Sequence, residues 1–208
     1  MIPVLYQDDA LLVVDKPHDM LTTPGRGPDK QDCLINRLLP QYPNARIIHR
    51  LDMATSGIVI LALSHAAQVA MGHLFEKRLI NKTYIAVVDG QLNQLSGEID
   101  KPLICDWENR PIQKVCFESG KAALTYYKSQ EYDAVNNWTR VQLQPKTGRS
   151  HQLRVHMLSL GHPIVGDFFY APKPILDKSP RLLLHANQLG FEHPISKQLI
   201  DIRSKVPF

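Results

Sequence analysis

His49-Arg50-Leu51-Asp52-Met53-Ala54-Thr55-Ser56-Gly57-Ile58-Val59-Ile60-Leu61-Ala62-Leu63 joins a polar segment to the longest apolar run of the chain. Six apolar residues behind a glycine, partly β-branched, are too few to cross a bilayer and predict a buried strand. The segment before it places an acid beside a base on a loop backed by core, the setting in which catalytic groups tend to sit. Asp52 in that loop could equally accept backbone N–H bonds from Thr55 or Ser56, an ordinary turn role.

Upstream of this strand, Val4 to Tyr6 and Ala10 to Val14 flank Gln7-Asp8-Asp9 and predict a hairpin stopped by Pro17. Lys16 to Lys30 carries prolines and glycines and reads as a loop; Gln31 to Leu39 predicts a short helix ending at Pro40. Downstream, Ser64 can cap a helix running to about Arg78, and Lys82 to Val88 resumes a strand pattern. Strands are also expected near Lys114 to Phe117, Ala123 to Glu131 and Thr139 to Gln144. Ser150 to Leu160, with Leu153, Met157 and Leu160 at helical spacing and Gly161 as a stop, predicts an amphipathic helix. Ala171 to Pro180 reads as a surface loop, with β-like pieces at Leu189 to Glu192 and Gln198 to Ile202. Helices and strands do not alternate regularly, so the expected class is α+β, a large mixed, mainly antiparallel sheet with flanking helices.

With 208 residues, 44% hydrophobic and 21% charged, the chain suits one domain or two fused halves with a self-sufficient core. Met1 leads into Val4-Leu5-Tyr6 without a basic start and apolar stretch, so a cytoplasmic protein is expected. Cys33, Cys105 and Cys116 form no CxxC pair and read as reduced thiols. Net charge is +4, and it is unevenly placed. No acid lies between Asp133 and Asp167, where Arg140, Lys146, Arg149 and Arg154 fall with His151, His156 and His162. A second acid-free stretch after Glu76 carries Lys77, Arg78 and Lys82. If these share a face, they make either a surface for a phosphate backbone or simply a solvated basic face.

Phosphate-loop, GxGxxG and HExxH patterns are absent, which removes the sequence support for nucleotide hydrolysis, Rossmann redox chemistry and zincin proteolysis. His151 and His156 stand five apart, so they do not share a helical face as two metal ligands would. No metal or cofactor is expected.

His49 to Gly57 is similar to the HRLDxxTSG signature of the RluA-type pseudouridine synthases, whose aspartate is catalytic. Three further blocks agree in order. Lys82-Thr83-Tyr84-Ile85-Ala86 resembles the family's K-x-Y-x-A strand, Thr147 to His156 its TGRxHQxRxH helix, and His162-Pro163-Ile164-Val165-Gly166-Asp167 its HPxxGD turn. Met53-Ala54 and Ile104 to Pro111 resemble the dual-specificity branch of the family, which acts on rRNA and tRNA. The resemblance implies a single pseudouridine synthase catalytic domain over residues 1–208, without the S4-type RNA-binding domain that many relatives carry. It also implies an isomerase acting on stem-loops of 23S rRNA and on tRNA anticodon stem-loops, expected to work as a monomer.

The resemblance implies roles residue by residue. Asp52 attacks C1′, removes the C2′ proton to give a glycal, or attacks base C6. A carboxylate withdrawn from water stays ionised when a cation lies close, a role that falls to Arg154; spacing alone would make Arg154 a solvent-facing helix residue. Tyr84 lies against the flipped base, where the plain alternative is a core aromatic. Arg50 fills the gap left by the extruded nucleotide, the alternative being a surface charge. Arg149 and Lys82 are phosphate contacts. Two other readings compete: a non-catalytic RNA-binding or ribosome-assembly module, and a glycosidase-like hydrolase, for which no second acid has a convincing context.

Overall fold

The computed structural model describes residues 1–208, which divide into two compact units: Met1–Lys82 with Ala186–Pro207, and Thr83–His185 with Phe208. In the first unit, β1 (Val4–Gln7) and β2 (Leu11–Lys16) form the expected antiparallel hairpin. Asp8 fixes its turn by accepting the Ala10 and Leu11 N–H groups at 2.8 and 2.7 Å. The helix expected over Gln31 to Leu39 is shorter, α1 (Leu34–Leu38). Cys33 is extended and bridges Leu21, and the Asp32 carboxylate is held by Arg37 through two 2.6 Å bonds, so neither residue joins the helix. A two-residue strand that the sequence did not announce, β3 (Arg46–Ile47), precedes β4 (Ser56–Ala62).

Every residue of β4 is buried. It pairs with β2 from Leu11↔Ala62 to Lys16↔Gly57, and with β3 through Arg46↔Ala62 and Ile47↔Leu61. Ser64 caps α2 (His65–Glu76) as expected, its Oγ accepting the Ala67 N–H at 3.1 Å. Arg78, with φ +58, ends the helical path. Alternate residues Ile58, Ile60 and Ala62 pack with Leu11 and Val13 of β2 and with Ala67 and Met71, one turn apart on α2; this is the period of two meeting the period of 3.6.

The chain enters the second unit within β5 (Asn81–Asp89). There follow β6 (Ser96–Asp100), the small antiparallel pair β7 (Leu103–Cys105) and β8 (Gln113–Val115), then β9 (Leu124–Asp133) and β10 (Trp138–Pro145). The strand order is β5-β10-β9-β6, with every neighbouring pair antiparallel. Next come α3 (Gln152–Ser159) and α4 (Lys173–Leu176), a short helix inside the segment read as a loop. Pro172 and Pro174 stand at its start, where a missing N–H costs nothing. The chain returns to the first unit within β11 (Leu184–Glu192), beside β4, and ends with β12 (Leu199–Arg203) antiparallel to β11. The class is α+β with a mixed, mainly antiparallel sheet, as expected. No helix is long and apolar enough to cross a membrane.

Helix α3 corrects the sequence reading. It is not amphipathic, because Gln152 through Met157 are all buried. Its stop is as expected: Gly161 takes φ +83 behind the last turn. The acid-free stretch before Asp167 is likewise not one basic face, since Arg154 and His156 lie in the interior while Lys146 and Arg149 are exposed.

Candidate active site

Asp52 sits half-buried on the loop between β3 and β4, and that loop is tied down by its own unit. The His49 ring Nε2 accepts the Ile60 N–H at 2.9 Å. Leu51 and Thr22 bond reciprocally: the Thr22 hydroxyl donates to the Leu51 carbonyl at 2.9 Å and accepts the Leu51 N–H at 3.2 Å. The Met53 carbonyl receives the Met20 N–H at 3.2 Å and the Lys16 ammonium at 3.1 Å. Within the loop the Thr55 N–H goes to the backbone carbonyl of Asp52 at 3.1 Å. Anchors before and after Asp52 give its carboxylate a defined origin. Gly57, the second residue of β4, takes φ +116, and a Cβ there would lie 2.3 Å from the Ala186 carbonyl oxygen, so the glycine of the signature lets β11 approach β4.

Lys16 was missed by the sequence reading. It is fully buried, and its ammonium also donates to the carbonyls of Pro17 at 2.9 Å and Met20 at 2.7 Å. Three carbonyl dipoles replace the water that a buried ammonium gives up. The available signal was a lysine at the end of a strand that opens with four buried apolar residues, followed at once by a proline. Arg50, two residues before Asp52, is exposed, and Lys82 at the start of β5 is half-buried and close enough to His49 to act on it electrostatically.

In the second unit, Tyr84 is a half-buried residue of β5 opposite Leu143, so it is not a fully packed core aromatic. Arg154 is only 3% exposed, which removes the solvent-facing alternative. Its fork is bound by Asp167, Nε to Oδ2 at 2.8 Å and Nη2 to Oδ1 at 2.6 Å, and its guanidinium carbon lies 5.4 and 5.0 Å from the ring centres of Phe169 and Tyr170. Asp167, with no exposed surface, also accepts the N–H groups of Phe169 and Tyr170. It closes the His162 to Asp167 turn quoted above, but no site role was given to it. Gly166 makes the turn possible: at φ +73, a Cβ would fall 1.9 Å from the Arg181 carbonyl oxygen.

The remaining polar residues of this block hold α3 in place. The Thr147 hydroxyl donates to Gln152 Oε1, Gln152 Nε2 donates to Thr125 Oγ, and Thr125 Oγ lies 2.9 Å from His156 Nδ1. Nε2 of His156 faces the Lys101 carbonyl at 3.0 Å, so that nitrogen carries the proton and Nδ1 accepts. Arg149 is exposed, with its Nε donating to the Ala122 carbonyl at 3.1 Å.

Two of these imidazoles are held neutral. Burial lowers the His156 pKa, and burial with the positive charge of Lys82 pushes His49 down to about 3. Both folded values lie below the unfolded one, so the unfolded chain takes up protons first as pH falls. Their contribution is complete above pH ~6.5 and drains below it, by up to about 1.4 kcal/mol per pH unit for each group. Urea unfolding at pH 7, 5.5 and 4.5 should therefore show stability falling with acid, and His49→Gln should make the decline shallower. A decline of unchanged steepness in that variant would contradict the assignment.

The motif set and this geometry agree with comparisons to known proteins. The family model for RNA pseudouridylate synthase matches residues 10–159. The dual-specificity RNA pseudouridine synthase RluA of Escherichia coli K12 is 52% identical over 191 residues, covering 92% of this chain and 87% of that one. The protein of the same description from Pasteurella multocida is 48% identical over 208 residues, covering all of this chain and 94% of its own. Among solved structures, human RNA pseudouridylate synthase domain containing 1 matches all of this chain and 84% of its own, with a TM-score of 0.85 and 29% identity. The non-catalytic alternative is not favoured by these relatives. A loop-held aspartate in an HRLD segment, a buried arginine in the HQ-x-R helix and relatives that match nearly end to end lead to one conclusion: the chain belongs to the RluA-type RNA pseudouridine synthases, isomerases that convert uridine in RNA to pseudouridine.

Proposed function

We propose that the substrates are stem-loops of 23S rRNA and the anticodon stem-loops of tRNA, modified in the cytoplasm, with Asp52 as the catalytic carboxylate. The observation that carries this reading is the loop itself: Asp52 is clamped through His49, Leu51 and Met53 while Arg50 beside it stays exposed. The reaction breaks the bond from uracil N1 to C1′, turns the base and rejoins it through C5, so no external group or redox partner enters the balance. Asp52 starts it as nucleophile at C1′, as base at C2′ or as nucleophile at C6. Arg154, the cation that the family resemblance assigns to the reaction, is held in one orientation by its two bonds to Asp167. Tyr84 lies against the extruded base. Mapping pseudouridine in RNA from cells with and without the gene tests the substrates: sites in both 23S rRNA and tRNA should revert to uridine, and loss confined to one class would overturn the dual reading.

An unpaired loop uridine is cheaper to extrude than a stacked one, which favours a stem-loop as the substrate of the catalytic face. Arg50 fills the space it leaves, while Arg149 and Lys82 contact phosphates. Arg50→Ala should thus weaken binding to a loop substrate more than to a perfect duplex. Arg149→Ala should weaken both and reduce the salt slope by about one ion. Binding of each variant to both RNAs across a salt series distinguishes them; equal losses for Arg50→Ala on the two RNAs would reduce Arg50 to another backbone contact.

A further inference from the structure

We infer that His49 is a positioning residue for Asp52, its ring standing in for a missing strand residue and thereby setting where the catalytic loop leaves the sheet; the inference rests on the assignment of Asp52 made above. Strands β3 and β4 pair as Arg46↔Ala62 and Ile47↔Leu61. Continued in register, the antiparallel ladder would next set Ile48 opposite Ile60. It stops one step short, and the Ile60 N–H goes to His49 Nε2 at 2.9 Å instead. A side chain has replaced a backbone carbonyl as the partner of a fully buried strand residue, whose N–H must be paired somewhere.

This replacement frees the backbone after Ile47 to turn away from β4. The ring is held on a second side by Phe75 of α2, with centroids 4.7 Å apart and planes 30° apart. It cannot drift along the strand, because it is fixed to one amide and one aromatic ring. Three residues later comes Asp52, with Thr22 and Lys16 holding the chain at Leu51 and Met53. Gln68 of α2 holds the Ile47 carbonyl at 2.9 Å where β3 ends, and His49 is the first anchor beyond it, so it sets the direction in which the loop continues.

Chemistry excludes a proton-transfer role for the ring. Accepting the Ile60 N–H uses the Nε2 lone pair, which puts the proton on Nδ1, and the ring stays neutral through the neutral pH range. What remains is geometry, and glutamine can supply the same acceptor: its Oε1 lies about as far from the backbone as Nε2. Phenylalanine keeps the ring against Phe75 but accepts nothing.

The test compares full-length His49→Gln and His49→Phe in single-turnover assays on a stem-loop, with affinity measured separately. His49→Phe should lose about 100-fold in rate, the scale of a displacement of about 1 Å at a reacting group. Its affinity should change by less than about threefold, since phosphate contacts set affinity. His49→Gln should recover at least about tenfold of that rate, its carbonyl restoring the bond. Equal rates for the two variants, or a wild-type rate with phenylalanine, would overturn the inference. Should His49→Phe not fold, hydrogen exchange at the Ile60 amide decides: slow exchange in the wild type and in His49→Gln is expected, and fast exchange in the wild type would overturn it. Failure of the Asp52 assignment would show itself differently, as turnover by Asp52→Asn with the Ile60 amide still protected.

Discussion

Asp52→Asn protein should bind a stem-loop with affinity close to wild type and isomerise none of its uridine. The amide matches the carboxylate in size, but it is neither a nucleophile toward C1′ or C6 nor a base toward C2′. Removing a positioned base or nucleophile costs on the order of 10²–10⁴ in rate, and here each route runs through the same group. The loop should keep its shape, because the ties at Leu51 and Met53 are made by backbone atoms, Thr22 and Lys16. The tie at His49 also uses no atom of the Asp52 side chain. Single-turnover assays beside an affinity measurement read both halves. Appreciable turnover by pure Asp52→Asn protein would remove Asp52 from the chemistry, and a large loss of affinity would show that the carboxylate organises the RNA surface.

The second large effect is expected at the buried pair of Arg154 and Asp167. Both are almost without exposed surface and joined by two short bonds. Removing one member of such a pair leaves an uncompensated buried charge and costs about 3–5 kcal/mol. Asp167→Asn should therefore destabilise the protein by that order, although asparagine retains one oxygen for the Phe169 and Tyr170 amides. Turnover should fall with it, since the guanidinium loses its seat. Arg154→Lys keeps a charge but cannot span both carboxylate oxygens, so a large fall in rate is expected with a smaller fall in stability. Urea unfolding and turnover on the folded fraction separate the two effects. An Asp167→Asn protein within about 1 kcal/mol of wild type would show that the pair is not coupled as its geometry indicates.

What was legible in the sequence was whatever is decided locally. The β1–β2 hairpin, the buried strand β4 and the Ser64 cap of α2 depend on neighbours within a few residues, and each was found close to its place. Helix α3 was placed but misjudged. Spacing makes Arg154 a solvent-facing residue until its partner is known, and that partner, Asp167, lies 13 residues away. The same blindness made the stretch after Asp133 look like a single basic surface. Lys16 escaped because burial of a lysine depends on carbonyls supplied by two loops, one of them 37 residues on. Strand β6, Ser96-Gly97-Glu98-Ile99-Asp100, offers little β-forming character of its own and owes its pairing to β9. Asp52 itself could not be told from a turn aspartate by its neighbours; the ordered set of four motifs raised it above that reading.

Release of tritium from a stem-loop labelled at uracil C5 tests the central claim most directly. Joining C1′ to C5 expels the C5 hydrogen, so purified protein should release one tritium per modified uridine and liberate no free base. RNA bound without tritium release, or free uracil appearing in its place, would contradict the account.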